Sequence, residues 1–558
     1  MLYYVLINFI HHQIDLYIKA VILKPFKLLF ILFIGYLPLS ALSIDTPLQN
    51  EQQRQIYEKL QNIDTTIPSS EHITPESNIS KDKNDTVCFV TQSILIKNMT
   101  SLGSAEQREY IEPYIGRCNG IQSLYILAKS LTQRYIDKGY ITSRVYLVPQ
   151  DISDGTVEFY ALEGKIAHVI TDNSKTSGAF IGLEGETLHL GDLESSIGHV
   201  NRLRSNKTTM NLLPATQEGA TDIILRSNET LPFFGSLGMN NYGSDATGKF
   251  QLYGGFVWEN FFGFSDIFSI NMNTTDKQQT GKKSFGNTYT YSVPLGKWLW
   301  EASLSRFTYS QTIIGLNDSY ISHGESEIYS LGTTYKLFHT RNHSIEISSA
   351  VAQKKTLSKI DTTVIDTSTY NLSVGRAGIK YVYQQPSWEM YSLIDYYHGL
   401  EIFNPTTDGT LKNDFAKWTL AVGGTKYFDT KLPINYQFSG YAQYSNDLLY
   451  SVEQLSIGGA YSVRGFQTQN ISGDSGWYAR NDLTFQVSPS ISPYLAYDIG
   501  HIKSGVDTAG GTLTSATFGL RGRYRSIALD IYHAIPLSSP NKTFDTDPFI
   551  GISASANF

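Results

Sequence analysis

The stretch 454–483, QLSIGGAYSVRGFQTQNISGDSGWYARNDL, holds the residues best placed for a specific chemical task. Gly458, Gly459 and Gly465 permit tight backbone turns. Arg464 stands among them, flanked by Val463 and Phe466, with no other cation between Lys431 and Arg480. A guanidinium carried into a low-dielectric interior needs a carboxylate there. Asp498 in AYDIG (496–500), followed by Gly500, is the candidate partner. Two readings of these residues stay open. The loop folds inward and Arg464 meets Asp498, or the loop is exposed and Arg464 meets only water.

The second chemical pair is Cys88 and Cys118, the only cysteines of the chain. In an exported protein two cysteines at this spacing are expected to join, since an oxidising compartment permits it. Such a link stabilises its domain by roughly 3 kcal/mol through loop closure. A metal site or a reactive thiol is the alternative. His168, His189 and His199 show no ligand spacing that would support a metal. His398, His501 and His533 have no recognisable nucleophile partner, so they read as rim or lumen residues rather than catalysts. No phosphate-loop pattern occurs. The reading is therefore a non-enzyme without a cofactor.

The elements that must position these residues follow from composition and periodicity. The chain has 558 residues, 17% charged and 13% aromatic, with 37 Tyr and a net charge of −7. The low charge and high Tyr content exclude a disordered chain. The net negative charge disfavours a nucleic-acid binder, which usually carries a basic stripe. A mean hydropathy of −0.20 is too polar for a bundle of membrane helices. Near the start, LLFILFIGYLPL (28–39) follows Lys24 and Lys27 and precedes the small residues Ala41 and Ser43. This predicts a signal peptide over 1–43, since the run is too short to span a bilayer as a helix.

Residues 44–62 are expected to form a short polar helix with Ile56 and Leu60 on one face. Residues 63–87, rich in Ser, Thr, Asn, Asp and Pro, read as a linker. The segment 88–166 reads as a mixed unit: a strand at CFVTQSILI, a helix over 122–138 ending at Gly139, and strands at RVYLV and VEFYAL. A second unit, 167–231, is expected to start its helix at an Asp192 cap and continue with strands MNLLPA and TDIILR. Two successive strand–helix–strand–strand units suggest a repeat.

From 232 to 558 the pattern changes to period two. In 434–445, Ile434, Tyr436, Phe438, Gly440, Ala442 and Tyr444 share one face, and polar residues take the other with Tyr441 as the exception. The last segment alternates Ile550, Ile552, Ala554, Ala556 and Phe558 against Gly551, Ser553, Ser555 and Asn557. Strands with two different faces, an export signal, the Tyr excess and a terminal Phe558 favour a transmembrane β-barrel over a β-sandwich. At about 20 residues per strand and turn, this region makes roughly 16 strands.

GGAYSVRGF (458–466) resembles the inward-loop motif of two-partner secretion transporters, the haemolysin secretion/activation protein family. The likeness extends to RYIDKGYITSRVYLVPQDISDGTVEFYALEGKI (134–166), GDLESSIGHVNRLRSNKTTMNLLPATQEGATDIIL (191–225), MNNYGSDATGKFQ (239–251), YSVPLGKW (291–298) and YHAIPLSSP (532–540). The resemblance implies a plug helix, a linker, two periplasmic POTRA domains and a 16-stranded outer-membrane barrel. It implies that Arg464 pairs with Asp498 on the barrel wall. In the family an aromatic residue or Gly usually stands two positions before that Asp; here it is Ala496, which weakens the expected wall contact.

Further implications are a large exoprotein partner of haemolysin, adhesin or contact-toxin type, bound by the POTRA domains; lipid around the barrel; and insertion by the barrel-assembly machinery, with no nucleic acid. The competing readings are an insertase for other barrels, which typically carries more POTRA units, and, less favoured, a barrel enzyme. A simple porin would not need residues 44–231.

Overall fold

The computed structural model describes residues 45–63, 88–172, 178–275, 281–314, 318–340, 342–406, 411–505, 509–541 and 544–558. The expected signal peptide lies outside these residues, as does all of the expected linker but its first residue.

Among the described residues, sixteen antiparallel strands form a closed barrel, together with a two-residue stub, Thr363–Val364. The first strand, Phe233–Asn240, closes the barrel against the last, Phe549–Asn557, with Asn240 opposite Ser553. Period two decides which way each side chain points. Along Ile527–Ser538, Ile527, Leu529, Ile531, Ile535 and Leu537 are exposed, whereas Tyr532 and Ala534 are buried. Along Ile491–Ile502, Leu495 and Tyr497 face out while Tyr494, Ala496 and Asp498 face the lumen. Both strands thus present an exposed apolar face and a buried lumen face. Tyr441, the exception in the sequence pattern, also has a physical reason. It packs beside Tyr478 inside the barrel and borders the cluster formed with the N-terminal helix.

Two small units precede the barrel and share one topology. In the first, Ser93–Lys97 runs parallel to Thr156–Leu162, which is antiparallel to Arg144–Leu147. In the second, Lys165–Thr171 runs parallel to Ala220–Glu229, which is antiparallel to Asn206–Pro214. The second sheet thus begins at Lys165, slightly before the boundary expected from sequence.

Four α-helices are described. α1 spans Thr46–Gln61, α2 Ser104–Ile111, α3 Ile121–Asp137 and α4 Leu190–Asn201. α3 covers the first sheet with Leu124, Leu127, Ala128, Leu131 and Tyr135. It stops at Gly139, whose φ of +91° suits a residue without Cβ.

Two local expectations need correction, and one helix is additional. CFVTQSILI is not one strand; it splits into Cys88–Val90, which pairs with Cys118–Gly120, and Ser93–Lys97 in the main sheet. α2 has no strong apolar periodicity and was not expected. Asp192 does not cap α4, because the helix starts earlier with His189 at its N-cap; Asp192 instead meets Lys297 of a barrel turn at 2.8 Å.

Cys88 and Cys118 form a disulfide, with Cα atoms 5.3 Å apart. It joins the entry of the first small unit to the strand that leads into α3.

Candidate gate: the inward loop and the lumen helix

The segment 446–475 connects the barrel strands Ile434–Ser445 and Gly476–Phe485. It turns into the barrel. Leu455, Ile457, Val463, Phe466 and Ile471 are buried against Tyr478, Ile502 and Leu513 of the wall. Three glycines make the turns, with φ of +122° at Gly458, +82° at Gly459 and +97° at Gly465. Phe466 lies edge-on to Phe544, ring centroids 5.8 Å apart.

This fold carries Arg464 to the wall, where it is only 2% exposed. Its Nε donates to Asp498 Oδ2 at 2.6 Å and its Nη2 to Asp498 Oδ1 at 2.7 Å. The backbone N–H of Arg464 also donates to Asp498, at 3.1 Å. This is a two-pronged guanidinium–carboxylate contact, the geometry for which Arg is suited and Lys is not. Gly500 completes the seat. A Cβ there would lie 3.0 Å from Val463 and 3.1 Å from Ile457, so the loop packs directly on bare backbone.

A second carboxylate was not anticipated. Asp482 accepts from Arg464 Nη2 at 2.6 Å and also from Arg521. It stands directly across the strand pair from Ala496. The departure from the family pattern at Ala496 therefore coincides with a wall that grips Arg464 by two carboxylates. Arg521 lies 4.0 Å over the Tyr494 ring, and Tyr494 donates to Asp530 at 3.1 Å. Three arginines and three aspartates then share this wall, counting Arg480, which faces Asp498 in register. No local sequence signal marks Asp482. Its only cue is parity: Tyr478, Arg480 and Asp482 alternate onto the lumen face of one strand.

Arg480 links the loop to α1. Its Nη1 donates to the Ala460 carbonyl at 3.0 Å, and its guanidinium lies 4.9 Å over the Tyr57 ring. Tyr57 packs on Tyr461 at 5.5 Å. α1 lies inside the barrel and is bound from several sides. Ser472 Oγ donates to Gln49 at 2.8 Å, Asn470 to Asn50 at 3.1 Å, and Gln52 to the Val452 carbonyl. Asp45 at its start accepts from Ser368, in the long connection 361–369. The Leu60 carbonyl at its end accepts from Tyr391, close to the short turn at 386–387. Short turns lie at the end where Glu229 leads into Phe233, so α1 runs from the far rim towards the small units. Ile56 and Leu60 pack against Val382, Leu393 and Ala421 of the wall, the face predicted from their spacing.

Phe558, the remaining residue singled out in the sequence, pairs by its backbone with Gly235 at the closing seam and leaves its ring largely exposed.

A model of haemolysin secretion/activation proteins of the ShlB/FhaC/HecB type matches residues 219–522, more than half of the chain. The chain belongs to this family. Models of POTRA domains match residues 89–164, ShlB-type, and 155–214. The outer membrane transporter CdiB of Dickeya dadantii is 29% identical over 518 residues, which is 88% of this chain and 89% of the relative. The hemolysin transporter protein ShlB of Serratia marcescens is 26% identical over 80% of this chain and 81% of its own. The solved structure of CdiB from Escherichia coli superposes with a TM-score of 0.79 at 26% identity, covering 93% of this chain and all of that one. This haemolysin secretion/activation protein is thus an outer-membrane transporter of two-partner secretion, with its POTRA domains on the periplasmic side. The relatives are transporters rather than enzymes.

Proposed function

We propose that α1 and the inward loop form the closed gate of a pore for one large exoprotein of haemolysin, adhesin or contact-toxin type. In this reading 1–43 is the removed leader, 44–62 the plug and 63–87 its tether. Residues 88–166 and 167–231 act as POTRA receptors, and 232–558 as the conduit. The exoprotein arrives unfolded and adds an extended segment to a POTRA sheet edge. The edge strands Ser93–Lys97 and Arg144–Leu147 support that mode. The plug then leaves, the chain threads through, and folding outside draws it across. Lipid covers the exposed apolar wall, and the barrel-assembly machinery inserts the barrel through the terminal strand ending in Phe558.

The observation that carries this reading is the character of α1: a polar helix inside a polar lumen. Gln49, Glu51 and Gln53 are buried, and Arg54 is paired with Glu51 and Glu58 of its own helix. Apolar burial comes from Pro47, Leu48, Ile56, Tyr57 and Leu60, of which the aliphatic side chains contribute about 1.5–3 kcal/mol each at most. Its hydrogen bonds exchange for water at a net cost of about 1 kcal/mol each. Such a helix is held firmly enough to close a pore and loosely enough to be expelled.

A bridge across the Tyr57–Tyr461 contact tests this. Tyr57→Cys/Tyr461→Cys, joined by a short reducible crosslinker, is expected to block secretion until reductant is added. Undiminished secretion with the helix locked in place would refute the plug reading.

A further inference from the structure

The inward loop is fixed to the barrel at a second place, on different strands from those that hold Arg464. Glu453 ends the 3-10 turn Ser451–Glu453, and its side chain is fully buried. Lys354 Nζ lies 2.5 Å from its Oε1 and Lys417 Nζ 2.8 Å from its Oε2. Lys417 also donates to the Glu453 carbonyl at 2.8 Å, and Gln443 donates to the same carbonyl at 2.8 Å. Lys354 belongs to the strand His343–Ile360 and Lys417 to Ala416–Phe428, with Tyr370–Gln385 and Trp388–Leu400 lying between them in the sheet. One carboxylate therefore ties the first limb of the loop to two separated points. The barrel has no need of this group for closure, because those strands already pair with their neighbours.

The next residue back is the one that α1 reads. The Val452 carbonyl accepts from Gln52, while the Val452 N–H donates to Tyr370 Oη at 3.2 Å. The other limb of the loop supplies Asn470 and Ser472 to Asn50 and Gln49. α1 thus rests across both limbs, and Glu453 fixes one of them. A buried carboxylate between two ammonium groups is costly to break from either side, so the limb has one well-defined position while the pairs last.

We propose that Glu453 is a positioning residue for the gate, holding the first limb of the loop as the seat of α1 and so retaining the helix in the idle pore. The inference rests on the plug reading above. Neutralising Glu453 leaves Lys354 and Lys417 facing a group that no longer balances them. The limb shifts, Gln52 loses its acceptor, and the helix leaves more often. The Arg464 clamp, on other strands, stays intact.

The test is idle conductance of the full chain in planar bilayers. It compares the native protein, Glu453→Gln, a chain lacking residues 45–62, and that deletion combined with Glu453→Gln. Glu453→Gln is expected to raise the open fraction at least about tenfold. In the deleted chain the same substitution is expected to change nothing. External protease digestion within 458–470, the part of the loop that carries Arg464, reports on the Arg464 clamp and is expected to match the native protein. A quiet Glu453→Gln pore beside an open deleted chain overturns the inference. So does a substitution that opens the deleted chain further, since that means distortion of the barrel. A deleted chain as quiet as the native one overturns the plug reading instead. Should Glu453→Gln fail to fold, Gln52→Ala removes the same contact from the helix side, and a quiet Gln52→Ala pore overturns the inference equally.

Discussion

Arg464→Ala strands a carboxylate that has no access to water. Asp498 is fully buried and accepts three hydrogen bonds from Arg464. Removing one partner of such a pair costs roughly 3–5 kcal/mol. That cost falls on the inward conformation of the loop alone, because an outward loop lets water reach the wall. At 1.4 kcal/mol per decade the inward-to-outward ratio of the loop drops by about two to three and a half powers of ten. Asp482 suffers less, since Arg521 still pairs with it. Asp498→Asn is therefore milder: Arg464 keeps Asp482 at 2.6 Å, and the loss is nearer 1–3 kcal/mol. Arg464→Lys retains charge but cannot reach both carboxylates by a fork, and should fall between the two. The assay is external protease digestion of 446–475 in intact cells, under conditions where cleavage tracks the open population. Cleavage should accelerate at least about a hundredfold in Arg464→Ala and less in Asp498→Asn. An Arg464→Ala loop as protected as the native one would refute the reasoning. An Asp498→Asn effect equal to that of Arg464→Ala would refute the sharing of Arg464 by two carboxylates.

Gly500→Ala brings a Cβ within 3.0 Å of Val463, 3.1 Å of Ile457 and 3.2 Å of Tyr478, so it should loosen the loop by about 1–3 kcal/mol, read as faster digestion of 446–475 with an intact barrel. Cys88→Ser/Cys118→Ser should lower the stability of the first POTRA domain by roughly 3 kcal/mol in urea while leaving the heat-modifiable mobility of the barrel unchanged. Burial raises the Glu163 carboxyl, but hydrogen bonds from Thr100, Ser101 and Tyr135 prevail and hold its pKa below the usual carboxylate value. Its stabilisation is therefore complete above the unfolded pKa of about 4.3 and fades as pH falls through the lower folded value. Protection against hydrogen exchange at Met99–Leu102, taken relative to the intrinsic rate at each pH, should fall across that acid window in the native chain; a Glu163→Gln variant with the same pH dependence would contradict this assignment.

The parts legible in the sequence are those fixed by short-range periodicity. Leu124, Leu127 and Leu131 mark α3 because a helix repeats its face every three to four residues. Ile527, Leu529 and Ile531 mark a wall strand because a strand repeats every two. For Arg464 the residues alone leave the loop inward or exposed, and the pairing with Asp498 is implied by the family resemblance; the structure places the two side chains 2.6 Å apart. Asp482 and Glu453 were not legible. Each looks like an ordinary polar residue, and its meaning depends on which strands closure brings opposite it. Asp192, a good capping residue by type, does not cap α4, because it binds Lys297 across a domain boundary. α2 escaped notice since none of its residues is fully buried.

In the proposed function this chain exports a dedicated partner. The most direct test is mass spectrometry of the culture medium and outer membrane of a strain carrying the gene, set against its deletion mutant. Loss of one large exoprotein from the medium, restored by the native gene and with the outer-membrane proteome otherwise unchanged, is the expected result. An unchanged medium with many outer-membrane proteins depleted would contradict it and mark the chain as an insertase.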